Sequence, residues 1–461
     1  MKLMGRMGLL AVAGRALNAV VSVIVFSFLD LLDAVLCFVY KLADFAVDRE
    51  WKPCYCSISS SGDIFARGGR GRGRGRGSGG RSNVLRLCPS TNCLHLDSIS
   101  DTLHFRPYLV SDLASIIFKK YAVHNVPTPA ILEIPNRKRK HRAAPRWSDC
   151  DCHTCNSWST CGESQSRNLY VRAEGNLLKA EEDVVFIHGF ISSSGFWTET
   201  VFEEFSEAAR SRYRLLAVDL LGFGRSPKPD ESLYTMTEHV EMIERSVLRQ
   251  HGVRRFHIVA HSLGSVLALA LAARHPDSVI SLTLLAPPYF PGGEGDGGQA
   301  VMRRVAPRRV WPPMAFAASM ACWYEHVSRT ICLVICRQHR LWNYIFRLLT
   351  LNRIRTFLIE GFMCHTHNAA WHTLHNVICG NTEKMDRDLD ALRDQLKCHV
   401  TIFHGENDEL VPVECSYAFK SKVPRAHLKV IRGKDHITMV VGRQNTFAAE
   451  LEQIWKNAKG N

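Results

Sequence analysis

From about residue 168 to the end, short apolar runs alternate with longer stretches of helical spacing, which restricts the chain to few folds. The runs VVFIH (184–188), LLAVD (215–219), FHIVA (256–260), SLTLLA (281–286), VTIFH (400–404) and LKVI (428–431) are short and mostly rich in β-branched residues. Such runs read as buried strands rather than as separate helices. Segments such as 233–250 and 265–275 carry helical spacing between them. The alternation predicts an α/β fold: a mostly parallel sheet with helices on both faces, over residues 168–461. Between about 290 and 385 it gives way to aromatic-rich, helix-like sequence, so an inserted helical cap is expected there.

One junction in this pattern carries chemistry. Ala260-His261-Ser262-Leu263-Gly264 lies directly between an apolar strand and the helical run SVLALALAARH. A strand, a sharp turn and a helix form the context of a nucleophile elbow, where a strained serine projects its hydroxyl above the sheet. The small residues Ala260 and Gly264 let the two backbones approach closely. A general base and an acid to orient it are expected further along, in the order Ser…Asp…His. Asp408 follows the run VTIFH, in GENDELVP (405–412), and His436 follows the next run, in GKDH (433–436). With 21 histidines in the chain, His436 alone would mean little. Its place after a strand, in this order, makes it the expected base for Ser262, with Asp408 fixing its tautomer. Glu409 and Asp435 are decoys, each one residue out of place.

Charge developing on a substrate oxygen needs two aimed backbone N–H groups. Leu263 supplies one directly after the nucleophile. Phe190 is expected to supply the other, from the loop after the run VVFI, with Gly189 allowing the turn and His188 supporting the loop. The loop 219–227 is read as structural packing beside the site. No metal and no cofactor are expected there.

The net charge of +14 invites a nucleic-acid reading, but its distribution argues against one. Residues 1–150 hold 22 Lys and Arg against 11 Asp and Glu, and the remainder holds 36 against 33. The excess therefore precedes the predicted enzyme. Much of it lies in RGGRGRGRGRGSGGR (67–81) and RKRKHR (137–142), both read as solvated linker, with 57–92 and 122–146 largely disordered. RNA binding through the Gly-Arg tract and a nuclear signal at 137–142 are the competing readings, and no nucleic-acid partner is expected.

The first 50 residues form a hydrophobic segment interrupted by Asp30 and Asp33. A secretory signal, a poorly hydrophobic anchor and an amphipathic helix on a membrane surface are all compatible with it. Residues 51–167 then make a basic, cysteine-containing extension. Its CDCHTC (150–155), with Cys161 nearby, offers zinc-type ligands including His153. They are bunched, however, and a local disulfide clasp or thiols packed on the next domain is the preferred reading.

These residues resemble the α/β-hydrolase superfamily and, more narrowly, the BODYGUARD family of plant hydrolases. The narrower resemblance rests on WKPCYC (51–56), RWSDCDCHTC (146–155), HGFISSSGFWTETVF (188–202), LLGFGRSPKP (220–229), WPPMAFAASMACWYEH (311–326), EGFMCHTHNAAWHTLHN (360–376) and KDHITMVVGRQ (434–444). It implies a lipid esterase or lysophospholipase-like enzyme with a role in cutin and cuticle formation, at the epidermal cell surface, in the wall or on a membrane. The expected partner is a lipid or fatty-acyl ester, handed to water or to another hydroxyl. Dehalogenase and epoxide-hydrolase chemistry are disfavoured, because those relatives place a carboxylate where Ser262 stands. A hydrolase fold that binds a ligand without turning it over is the alternative.

Overall fold

The computed structural model describes residues 2–48, 84–85, 94–95, 100–103, 149–150, 152 and 155. It also describes 168–458 apart from 178–179, 230–231, 292–297, 353–355 and 381. The Gly-Arg tract, the basic run at 137–142, His153, Cys161 and nearly all of 57–92 and 122–146 lie outside the described residues. Val84–Leu85, within the first of those two segments, pairs antiparallel with Leu94–His95 just beyond it.

Seven strands make the main sheet: β1 (Val171–Gly175), β2 (Glu182–Ile187), β3 (Tyr213–Val218), β4 (Phe256–His261), β5 (Val279–Leu285), β6 (His399–Gly405) and β7 (His427–Ile431). Their order is β1-β3-β2-β4-β5-β6-β7. All neighbours are parallel except β1, which runs antiparallel to β3. Six strands coincide with the apolar runs. β1 is additional: VRAEG is half exposed, sits at the sheet edge and has no apolar run to announce it.

Burial on both faces accounts for the continuous apolar character of the central strands. Along β2, Val185 and Ile187 face one core while Val184 and Phe186 face the other. The first core includes Leu267 and Leu271 of the helix Leu263–Arg274 and Leu389 and Leu392 of the helix Thr382–Asp394. The second is built on Trp197, Tyr213, Phe202 and Trp455. Each such ring, fully buried, contributes about 1.5–3 kcal/mol.

Between β5 and β6 the chain leaves the sheet through a series of helices that includes Pro313–Trp323, Glu325–Ile331, His339–Leu349 and Thr356–Met363. A third apolar cluster there contains Met302, Trp323, Tyr324 and Val327, and it takes in Phe26 and Leu29 from the start of the chain.

Those two residues belong to α1 (Lys2–Asp48), one continuous helix rather than two apolar pieces broken by aspartates. The acids are accommodated because they face the cap. Asp30 accepts from the Tyr324 hydroxyl at 2.6 Å and from Arg308 at 2.5 Å. Asp33 accepts from the backbone N–H groups of His326 and Val327 at 2.9 and 3.0 Å, closing the first turn of the helix Glu325–Ile331 from outside. Asp44 holds Arg329 with two bonds of 2.8 and 2.9 Å. Hydrogen bonds to charged groups of this kind contribute about 1.5–3 kcal/mol each. The opposite face of α1 is apolar and exposed at helical spacing, through Leu17, Val20, Ile24, Phe28, Leu31 and Val35.

Candidate active site

Ser262 sits where β4 ends and the helix Leu263–Arg274 begins, with φ 52° and ψ −120°. Left-handed backbone at a serine costs about 1–3 kcal/mol and persists only where neighbours enforce it. Here the Ser262 N–H donates to the Leu285 carbonyl at 2.8 Å, and the Ser262 carbonyl accepts from the Ser265 N–H at 2.8 Å. Gly264 makes the crossing possible: a Cβ there would stand 2.7 Å from the carbonyl oxygens of both Ile187 and His188. Ala260, the small residue before the turn, is fully buried.

The loop after β2 presses on this turn. A Cβ on Gly189 would lie 2.9 Å from His261 Nδ1 and 3.3 Å from the Ser262 Cβ. Phe190 follows directly, and its ring packs against both the sheet core and the cap cluster. Among the described residues, neither the Phe190 nor the Leu263 amide donates to another protein group. His188 is fully buried: its Nδ1–H donates to the Gly189 carbonyl at 2.7 Å, and its Nε2 accepts from the Leu220 N–H at 2.9 Å. Burial holds its pKa below the usual value, against the pull of Asp219, so the ring is a neutral brace. The loop 219–227 closes on the same brace, with Asp219 accepting from the Ser194 and Arg225 N–H groups at 2.5 and 2.7 Å.

The other two predicted residues come together at the ends of β6 and β7. His436 Nδ1–H donates to Asp408 Oδ2 at 2.7 Å, while Asp408 Oδ1 accepts from the Leu410 and Val411 N–H groups, each at 2.9 Å. The Asp408 side chain is fully buried. Burial opposes its ionisation, but the His404 and His436 hydrogen bonds outweigh it and hold the carboxyl well below the usual range. With Nδ1 engaged, His436 leaves Nε2 for the serine side. Ser262 Oγ makes no hydrogen bond to it here, a looseness common in substrate-free sites.

Two further histidines support this pair: His261, read from the sequence only as part of the elbow, and His404, which was given no role. His261 stacks on Phe196, with ring centroids 4.9 Å apart, and its Nε2–H donates to the His436 carbonyl at 3.0 Å. His404 lies beside Asp408 and is fixed between the Ser416 hydroxyl at 2.6 Å and the Val411 carbonyl at 2.8 Å. A polar residue ending an otherwise apolar strand was the available signal for both. Of the decoys, Asp435 accepts from the Ile437 and Thr438 N–H groups of its own turn.

Beside the helix after Ser262 lies an apolar cavity lined by Val266, Tyr289, Phe290, Val301 and Ile378, with room for about one water molecule. Away from this region, the thiols of Cys150, Cys152 and Cys155 gather with His339, and those of Cys332 and Cys336 with His365. None of the described cysteines is disulfide-bonded.

Residues 184–442 match the model of the alpha/beta hydrolase fold family. Among curated proteins, the chain is 51% identical to "Probable lysophospholipase BODYGUARD 3" of Arabidopsis thaliana, over 98% of both chains. It is 52% identical to "Probable lysophospholipase BODYGUARD 1" of the same plant, over 96% of this chain and 97% of that one. With "Probable lysophospholipase BODYGUARD 4" the identity is 38%, over 96% and 98%.

Proposed function

Because this chain belongs to the BODYGUARD family of α/β-fold hydrolases, we propose that it is a serine hydrolase of fatty-acyl esters, with lysophospholipids as the leading substrate class. The observation that carries the reading is the buried Asp408–His436 pair beside a serine held at positive φ between strand and helix. In this mechanism His436 Nε2 takes the proton of Ser262 Oγ as that oxygen attacks the ester carbonyl. The Phe190 and Leu263 N–H groups hold the resulting oxyanion. Collapse expels the alcohol, which takes the proton from His436. Water, or another hydroxyl, then repeats the sequence on the acyl-enzyme. The role in cuticle formation is carried by the family resemblance.

The test is untargeted lipid profiling: purified full chain against Ser262→Ala, each incubated with mixed epidermal lipids. Wild type should deplete one class of acyl ester and release its fatty acid, and Ser262→Ala should leave the mixture unchanged. Identical profiles would end the proposal.

We further read α1 as retained and lying on a membrane surface. Supporting this is its division into one face bound to the cap through Asp30, Asp33 and Asp44 and an opposite apolar face. The stretch Gly14–Val47 is long and apolar enough to cross a bilayer. Crossing would drag those acids and their partners into hydrocarbon, whereas lying flat leaves the pairs intact. Full chain should float with phospholipid vesicles, and joint Ile24→Asp and Phe28→Asp substitution should lower the bound fraction more than tenfold. Wild-type protein that stays in the aqueous layer would refute the placement.

A further inference from the structure

Among the described residues, the cysteines of the extension are not joined to one another. Cys150, Cys152 and Cys155 come from one short segment, and the fourth member of their group, His339, opens the cap helix His339–Leu349. The four ligand atoms all lie within 4.8 Å of one another. Cys150 Sγ is 3.2 Å from His339 Nδ1, and Cys152 Sγ is 4.0 Å from Nε2 of the same ring. A tetrahedral zinc with sulfur at about 2.3 Å and nitrogen at about 2.0 Å separates its ligands by roughly 3.5–3.8 Å and takes one nitrogen of an imidazole, so the four atoms, all within 4.8 Å, need only a small contraction to hold one ion. The Cys155 N–H donates to Cys152 Sγ at 3.5 Å, which holds that sulfur in the group.

We propose that Cys150, Cys152, Cys155 and His339 form a structural zinc site that fastens the extension to the cap. Three thiolates and one imidazole make a closed set, with no position left for substrate, as in zinc sites that hold structure rather than perform chemistry. Binding exchanges three thiol protons for the metal and leaves a single negative charge, beside Arg337 and Arg340 in the same stretch of chain. The segment before the hydrolase sheet would otherwise need an apolar core of its own to stay in place. The nearby group of Cys332, Cys336 and His365 is buried but offers three ligands, one short of a closed tetrahedron.

The experiment measures zinc per chain by elemental mass spectrometry on full-length protein produced with added zinc and purified without chelator. Wild type should carry at least one equivalent. Cys152→Ser and His339→Ala should each lose one, with zinc retained in Cys415→Ser, a buried thiol remote from the group. Cobalt exchange on wild type reads the site without depending on variants that may not fold: thiolate-to-cobalt charge transfer with tetrahedral visible bands is expected. Wild-type protein without zinc, variants that keep the full complement, cobalt spectra lacking thiolate bands, or a disulfide among Cys150, Cys152 and Cys155 in the non-reduced mass would each overturn the assignment.

Discussion

Ser262→Ala should lower kcat on a fatty-acyl ester by about 10⁶-fold, because it removes the nucleophile and leaves only binding and the oxyanion amides. Asp408→Asn should cost less, about 10⁴-fold, and for a different reason. Asp408 Oδ2 accepts from His436 Nδ1 and so keeps Nε2 unprotonated toward the serine. An asparagine amide turned to donate there would stabilise the opposite tautomer and place a proton where the base is needed. Glu409→Gln and Asp435→Asn serve as controls, each expected within a few-fold of wild type. Steady-state kinetics on a short-chain ester checks all four. An Asp408→Asn enzyme within tenfold of wild type, or an Asp435→Asn enzyme as impaired as it, would remove Asp408 from the proposed triad.

Mild acid should destabilise this protein while most of its carboxylates are still ionised. His239 and His261 are fully buried, and burial lowers each pKa to about 3. In the unfolded chain each would titrate near 6.5. Between those values the unfolded state binds protons that the native state refuses, so stability is full above about pH 6.5 and falls as the pH falls toward 3. At pH 5 the loss is roughly 2 kcal/mol per histidine, a large part of a typical 5–15 kcal/mol total. Asp408 has the opposite arrangement: its carboxyl is held below the unfolded value, so its contribution persists down to about pH 4 and fades only below that. Urea midpoints at pH 7.5 and 5.0 should therefore differ by more than about 1 M, and His239→Gln should shrink the gap. A midpoint that does not move over this range would show that these histidines take up protons while folded.

What the sequence disclosed was local, and what it hid was tertiary. The turn at Ser262 is legible because a strand, a small-residue turn and a helix are adjacent in the chain. Asp408 and His436 are legible because each follows a strand whose apolar run is plain. β1 escapes notice because Arg172 and Glu174 break its apolar pattern. The acids in α1 read as penalties because their partners, Arg308, Tyr324, Arg329 and the helix beginning at Glu325, lie 275 or more residues away. His339 was invisible beside Cys150–Cys155 for the same reason. His261 and His404 take their roles only once β4, β6 and β7 stand side by side, and their place late in an apolar strand is the one local sign of them.

Phe26 and Leu29 of α1, Met302 and Trp323 of the cap, and Phe190 beside the candidate oxyanion amide belong to one continuous apolar cluster. Close-packed interiors pass displacement along rather than absorbing it. If α1 rests in a lipid leaflet, lateral pressure in that leaflet becomes a mechanical input to the loop that would hold the reacting oxygen. Turnover per bound chain would then follow how tightly the lipids are packed, so the state of the surface, as well as the supply of ester, would set the rate. Loosely and tightly packed versions of the same vesicles would read that difference directly.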